Sequence, residues 1–408
     1  MPDSCPVFRK GAFRVVQGVS SSAFIHLQRS APWIPASWCR FQDTLARSVA
    51  MVIRVLRSRR KSSARPAGAF LVLLVLALSF AVAGCPCAGT VVNANPQLRW
   101  WLFSNFGASR ICPEMLKIGV PLKTDSSSPA MGRFFPMTCS YTVDDARQTV
   151  AVTFAGTGYG YVQPAKRVGF STSATIELRP DFAIADEDIY VWGRLNRIIS
   201  GPDFRVGYIE NTAFNVASNI PPFGTLTNFF GNQVITGELT RGFTVVANED
   251  RGNEFALGVL TPPNKPVKPF KVHNDERFTF ANESVDVHGN ARDFLGPFEV
   301  GSGQALYLTM SVQGPTVDVM IVSKMVGDPW REGYQTGQPL GVAPGPVLGG
   351  APLAPGPAQT RKFSLAPGLY YVVLDNTQYA GLVAPPVQVL NPLYDPIARV
   401  SYVAQVGD

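Results

Sequence analysis

The sequence predicts a mostly β fold with minor α, in which an α+β first domain is followed by an all-β sandwich. Glycine and proline are frequent, at 37 and 34 of 408 residues, while charged residues make up only 16%. This profile is typical of turn-rich β proteins. Short runs of β-branched and aromatic residues recur between turn residues, which indicates many short strands. A hydrophobic fraction of 46% suffices for sizeable cores in two or three domains.

The first domain is predicted over residues 98–262. Alternating apolar residues predict its strands, including Thr149–Phe154, Val168–Leu178 and Asp188–Leu195. The helical pattern predicts Ser109–Lys117, capped by Ser109, and a second short helix over Phe223–Ile235. We interpret Gly156–Gly160 as a glycine-rich bend between strands, because no helix follows it as a phosphate loop would require.

The predicted domain boundary is a proline-rich linker over residues 263–271, where an extended spacer is favoured. Residues 272–408 then read as a β-sandwich with short strands and Gly/Pro turns, and residues 341–358 as a low-complexity loop leaving the sandwich. The stretch Phe363–Asn376, in which Pro367-Gly368 precedes a Tyr-containing strand, resembles the final hairpin of pre-peptidase-type jelly-roll sandwiches. That resemblance implies a jelly-roll-like fold and no enzyme.

The net charge of +7 comes from the N-terminal leader. The first 84 residues contain 12 of the 36 basic residues and two of the 29 acidic residues, which leaves 24 basic and 27 acidic residues beyond them. A mildly acidic remainder gives no electrostatic reason to bind phosphate backbones, so we expect no nucleic-acid partner.

The leader has the parts of a signal peptide over residues 51–84. A basic segment, Arg54–Lys61, precedes the apolar run Ala69–Ala83. The run has 15 residues and is about 22 Å long as a helix. A bilayer core requires about 20 residues, so the run is too short to span it comfortably and is typical of a signal peptide. Val82-Ala83-Gly84-Cys85 follows and resembles the lipobox of bacterial lipoproteins, which implies a diacylated thiol at Cys85. The alternatives are an ordinary signal peptide with a chance cysteine, or a short anchor helix.

Residues 1–50 show no core pattern, so we interpret them as an incorrectly assigned or disordered extension and expect Met51 to be the true start. Residues 85–97 are predicted to be a short polar stem. Pro86 follows the anchor cysteine where many sorting rules look for Asp, which favours the outer over the inner membrane.

Beyond Cys85, the cysteines predict one disulfide. Export permits disulfides, and Cys112 with Cys139 would close a loop of moderate length. Cys87 falls in the stem, and Cys5 and Cys39 fall in the extension. The spacing is unlike that of a zinc site, so no metal or other cofactor is expected.

Aromatic residues give one hypothesis for ligand binding. The candidate lining of an apolar groove in the first domain consists of Trp100, Trp101, Phe223, Phe229 and Phe230. Ordinary core packing is the competing interpretation for all five.

Catalytic patterns are weak. Ser284, Asp286 and His288 alternate along one predicted strand, but no nucleophile elbow or oxyanion hole accompanies them. We interpret them as a solvated strand face, and the acidic run Asp186–Asp188 as a solvated turn. His273 is the other histidine downstream of Cys85.

These observations predict an exported, membrane-anchored lipoprotein with a non-catalytic binding or structural role in the cell envelope. As a whole the chain resembles uncharacterised lipoproteins of Gram-negative bacteria. Its expected partners are the membrane, through the lipid, and an envelope protein or hydrophobic ligand. The alternatives are a carrier of lipid or another hydrophobic ligand that uses the first-domain groove and, third, an envelope enzyme.

Overall fold

The protein is described by a computed structural model that covers residues 88–125, 127–163, 165–211, 240–248, 252–272, 277–379, 381 and 395–408. The predicted leader, Cys85, Cys87, the helix Phe223–Ile235 and His273 lie outside these residues. The described residues belong to one compact unit, Gly84–Asp408. The fold is mostly β with minor α, which confirms the predicted class.

Short helices come first in the described chain, before any strand. They are α1 (Ala88–Ala94), α2 (Pro96–Leu102), a π-helix (Phe103–Gly107), a 3-10 helix (Ala108–Arg110) and α3 (Ile111–Met115). Helix therefore replaces most of the predicted stem. The helix predicted over Ser109–Lys117 is present as the 3-10 helix and α3, although Ser109 does not cap it and instead donates to the Phe106 carbonyl.

An antiparallel meander follows these helices. Its strands are β1 (Val120–Leu122), β2 (Gly132–Asp144), β3 (Thr149–Val162), β4 (Lys166–Ala185), β5 (Asp188–Ile209), β6 (Phe243–Asn248) and β7 (Gly252–Leu257). Alternating residues of β3 and β4, such as Val150, Val152 and Ile176, face the helices and form the first core with them.

The glycines Gly156 and Gly158 lie inside β3, so the predicted bend at Gly156–Gly160 is wrong. A Cβ at Gly158 would come within 2.5 Å of the Phe170 ring, and one at Gly156 within 2.8 Å of the Phe134 ring. These rings stack 6.5 Å apart. The glycines make room for aromatic packing across a continuous strand.

The remaining strands form two facing sheets. They are β8 (Phe278–Val287), β9 (Arg292–Val300), β10 (Ala305–Gln313), β11 (Val317–Ser323), β12 (Val347–Leu353), β13 (Gln359–Phe363), β14 (Gly368–Asp375) and β15 (Ala398–Gly407), with helix α4 (Lys324–Gln335) between β11 and β12. Their orders are β8-β15-β10-β13 and β12-β11-β14-β9. Counted along the chain, this is 1-8-3-6 facing 2-7-4-5, the arrangement of a jelly roll.

The predicted loop over residues 341–358 is corrected by β12, which pairs with β11 at the edge of the sandwich. Pro352 is compatible with an edge strand, where one side of the backbone forms no ladder. Gly350 allows close pairing, since a Cβ there would lie 2.6 Å from the Val319 carbonyl oxygen. The high proline and glycine content of this segment therefore predicted a loop where the structure has a strand.

The predicted linker lies inside the compact unit. β7 pairs with β8 across it, at Gly252 and Thr279, so that the meander and the β8 sheet form one continuous sheet among the described residues. Backbone atoms of Phe270 bond with the Asn282 side chain, and Lys268 donates to the Phe255 carbonyl. The segment is irregular but packed against the fold.

The β9–β14–β11–β12 sheet has apolar cores on both faces. Val319, Ile321 and Val372 face the sandwich interior, while Met320, Val322 and Tyr371 face α4 and the meander. The second face packs against Phe135 and Tyr159 of β2 and β3. The continuous apolar sequences of β11 and β14 are explained by burial on both sides.

Candidate functional site

The helical layer, residues 88–115, is the part of the described chain nearest in sequence to Cys85. The start of helix α2 is fixed by its local sequence. The Asn95 side chain caps the helix by accepting a hydrogen bond from the Leu98 amide, and Pro96 occupies the first turn. Two residues, Pro86 and Cys87, lie between Cys85 and Ala88, so three Cα–Cα steps join them. An extended chain reaches about 3.6 Å per residue, so α1 begins within about 11 Å of Cys85.

Polar side chains hold this layer on β4. Asn93 donates to the Ile184 carbonyl (2.7 Å) and accepts from the Ile184 amide (2.9 Å), which extends the strand's hydrogen bonding into α1. Arg99 forms a bidentate ion pair with Asp181, with N–O distances of 2.7 and 3.1 Å, and also donates to the Asn93 carbonyl. The Asp181 hydrogen bond is the main reason that the pKa of Arg99 is raised.

A disulfide joins Cys112 of α3 to Cys139 of β2, with 5.3 Å between their Cα atoms. The pair is the one that the sequence predicts. The bridge fixes the end of the helical layer to the meander covalently. Together with the Arg99 and Asn93 contacts, it makes the layer a rigid part of the fold.

The two adjacent tryptophans have opposite environments. Trp100 packs on the first core, 6.2 Å from the Phe103 ring, and its indole N–H donates to Asp145. Trp101 is 53% exposed and Phe106 is 63% exposed, with ring centroids 5.9 Å apart in an edge-to-face contact. We call Trp101 and Phe106 the exposed aromatic pair. Val91 of this layer and Leu116, the residue that follows it, are also exposed.

The predicted ligand groove is not assembled in the described residues. Trp100 serves as core packing, as the competing interpretation expected, and Trp101 points to solvent. Phe223, Phe229 and Phe230 lie outside the described residues. A cavity of about 410 Å³ occurs elsewhere, between β11, β12 and the 342–345 segment, lined by residues such as Met320 and Leu348.

A buried charged cluster joins the meander to the sandwich around Arg133 of β2. Its guanidinium is 1% exposed and binds Asp293 (2.9 Å), Glu283 (3.2 Å) and the Tyr402 hydroxyl (3.1 Å). Tyr159 donates to Asp293 at 2.6 Å. Burial opposes ionisation of Glu283, but the neighbouring positive charges, led by Arg133, leave its pKa below the usual value. The side-chain polar atoms of Arg133, Asp293 and Tyr159 all have partners within the fold, as a structural network requires.

A second polar cluster surrounds His288, just after β8. His288 Nδ1 lies 2.6 Å from Asp395 Oδ2, and the imidazole stacks on the Tyr161 ring at 3.7 Å. Gln163 and the Gly289 amide also donate to Asp395. Burial opposes ionisation of Asp395, yet its hydrogen bonds, led by that of His288, lower its pKa. The cluster holds the β8 end against the β3 end.

The side chains of Ser284, Asp286 and His288 each bind a different partner in this arrangement. Ser284 is bonded to Ser401, and Asp286 forms a two-pronged pair with Arg399 at 2.8 and 2.9 Å. His288 uses Asp395 instead. The three side chains therefore have different partners, and their partial exposure matches a strand face.

A buried arginine lies behind this cluster. The Arg167 guanidinium carbon is 4.4 Å from the Tyr334 ring centroid and 4.9 Å from that of Tyr208, and Glu210 lies 3.6 Å from Nε. Burial raises the pKa of Tyr334 to about 12 and also raises the pKa of Glu210. Stacking on two rings supplies part of the stabilisation that a buried cation requires.

The acidic turn before β5 is only partly solvated. Asp188 is buried, with Lys265 Nζ at 2.6 Å and Asn248 Nδ2 at 2.9 Å. Asp186 adopts a positive φ of 54° in the tight turn. The expectation of a solvated turn is therefore corrected at Asp188, whose charge binds the predicted linker to β5.

Within the described part of the chain, no helix is both long and apolar enough to cross a bilayer. Among the same residues, no group of three or more His, Cys, Asp or Glu side chains is placed to hold a metal ion.

Sequence reasoning missed Phe106 as the partner of Trp101. Residues three and four apart share a face of an α-helix, whereas Trp101 and Phe106 are five apart. The π-helix over Phe103–Gly107 widens the turn and aligns residues at that spacing.

No protein family model, curated protein or solved structure matches the chain.

Proposed function

We propose that this protein is an exported lipoprotein, anchored by a diacylated Cys85, with a non-catalytic binding or structural role at the envelope membrane. The observation that carries the proposal is the position of the helical layer, which starts three residues after Cys85 and is fixed to the meander. A folded body that begins so close to the anchor suits a protein that works at the membrane surface.

The disulfide supports export. Such bonds persist in secreted and periplasmic proteins and are rare in the cytosol of most organisms. Cys112–Cys139 stabilises the layer that carries the exposed aromatic pair, so an oxidising compartment would favour this structure.

The distribution of polar groups supports a non-catalytic role. The charged groups around Arg133 bind one another, and the His288 imidazole is held between Tyr161 and Asp395. An active site instead requires convergent groups around an open position for a substrate. The exposed aromatic pair is an apolar surface feature of the kind that interaction surfaces contain.

Mass spectrometry tests the anchor. The chain from Met51 would be expressed in a Gram-negative host with an alkyne-tagged palmitate, and the purified membrane protein digested and weighed. We expect N-terminal processing and a diacyl mass on Cys85, lost in the Cys85→Ser variant. Cys87→Ser is the matched control and should keep the label. An unmodified Cys85, or label retained by Cys85→Ser, would overturn the proposal.

The same preparation tests the mode of action. Native mass spectrometry of the membrane-extracted protein would record co-purified molecules. A protein or surface ligand bound to the intact fold would support a binding role. Stoichiometric loading with a free lipid would instead favour the carrier, which stays an alternative prediction.

A further inference from the structure

The exposed aromatic pair indicates a further role, and the inference drawn from it rests on the proposed lipid anchor. Trp101 and Phe106 expose more than half of their surface, although Phe103 and Ala108 of the same layer are buried. Large aromatic rings are costly to leave in water, and a pair held in contact indicates a surface with a partner.

The geometry selects the bilayer as that partner. Even a fully extended chain from Cys85 to Ala88 places the start of α1 within about 11 Å of the anchor residue. Helix α2 rises only about 1.5 Å per residue from Asn95 to Trp101. The aromatic pair is therefore separated from the acylated Cys85 by a length of only a few helical turns. No other described segment is so near the anchor in sequence.

The orientation of the helical layer is fixed, so the pair cannot turn inward. Trp100, Phe103 and Ile111 occupy the face towards the core. The Arg99–Asp181 pair and the disulfide hold that face against the meander. Trp101 and Phe106 therefore project from the side opposite the sheet.

The chemistry of this side suits a lipid interface. Tryptophan favours the headgroup level of membranes, where its ring is buried and its N–H stays solvated. Ser104 and Asn105, between the two rings, bond back to the Trp101 carbonyl and satisfy the backbone there. Arg110 is exposed on the next turn and supplies positive charge towards anionic headgroups.

We propose that the exposed aromatic pair inserts into the interfacial region of the same bilayer that holds the acylated Cys85. The anchor and the pair then make two attachments, which fix the orientation of the fold on the membrane. A single tether would leave the body free to rotate about the stem.

Fluorescence quenching by brominated lipids tests this insertion. The lipidated full-length mature protein would be reconstituted into phosphatidylethanolamine/phosphatidylglycerol vesicles carrying bromines near the headgroups or deep in the acyl chains. We expect quenching of tryptophan emission, stronger with shallow bromines. Trp101→Phe should abolish this quenching. Trp192→Phe, the matched control on β5, should leave it unchanged.

Quenching that persists in Trp101→Phe, or its absence in the wild type, would overturn the insertion. Far-UV circular dichroism of each variant checks that it is folded. The mass of the Cys85 peptide is measured on the same sample. An acylated Cys85 with unquenched Trp101 overturns the insertion alone, whereas an unacylated Cys85 with quenched Trp101 overturns the anchor alone.

Discussion

Replacing Arg133 with methionine would test whether one buried guanidinium holds the meander and the sandwich together. Methionine approximates the aliphatic part of the side chain but removes the guanidinium and its charge. The substitution leaves the carboxylates of Asp293 and Glu283, which are both largely buried, without their shared cation. Breaking a buried ion pair by removing one partner costs about 3–5 kcal/mol.

The matched control is Arg399→Met on β15. Arg399 makes a similar two-pronged pair with Asp286, but its side chain is 50% exposed. Exposed pairs contribute about 0–1 kcal/mol, so this variant should unfold almost like the wild type. The contrast between the two variants isolates burial, because both lose an arginine that binds a carboxylate.

Equilibrium unfolding in guanidinium chloride at neutral pH, followed by near-UV circular dichroism and tryptophan fluorescence, measures both variants. We expect Arg133→Met to lower the free energy of unfolding by at least about 3 kcal/mol, and Glu283→Gln added to it to restore part of the loss. A loss below about 1 kcal/mol, or one no larger than that of Arg399→Met, would refute the reasoning.

Further changes probe separate parts of the fold. Serine at Cys112 removes a disulfide whose cysteines are 27 residues apart, so denaturant titration should show a loss of about 3.5 kcal/mol and no further effect of reductant. Gly169→Ala places a Cβ 1.7 Å from a carbonyl oxygen of α4, and calorimetry should show about 1–3 kcal/mol of destabilisation, whereas Gly207→Ala, whose nearest neighbour is at 3.9 Å, should be almost neutral. Folding lowers the carboxyl pKa of Glu283 and Asp395, so their stabilisation is present above the unfolded carboxyl pKa of about 4 and is lost as pH falls through the lower folded value. Denaturation midpoints should therefore fall in acid, less steeply in Asp395→Asn; an unchanged acid slope in that variant would contradict the assignment.

Much of the local structure was predictable because its signals are local. Alternation over Val168–Leu178 and the β-prone run Asp188–Leu195 identified strands that the structure contains. The Cys112–Cys139 pairing followed from elimination among the cysteines. These features depend on residues close in sequence or on few candidates.

The long-range features had no such signal. Arg133 is 160 residues from Asp293, and neither residue type predicts burial when it is read alone. The proline-rich run at 263–271 predicted a spacer, yet pairing of β7 with β8 and the Asn282 contacts hold it in the fold. In the same way, the Pro/Gly-rich composition of 341–358 predicted a loop, whereas Val347–Leu353 forms an edge strand paired with β11.

The boundary at 263–271 offers a last test of whether the chain behaves as one body. The surface between the meander and the sandwich contains Phe135, Tyr159, Phe294, Trp330 and Tyr371, all less than 10% exposed. Large aromatic side chains bury about 150–250 Å² each, so separating the halves would expose more apolar surface than the 300–600 Å² patch usual on a monomer. The Arg133 cluster would lose its carboxylates as well. A protease site inserted in place of residues 265–267 and then cleaved should therefore leave two fragments that co-elute in gel filtration under native conditions and separate only in denaturant. Two soluble, separately eluting halves would contradict this conclusion, because such halves can exist only if the shared aromatic face is not a core.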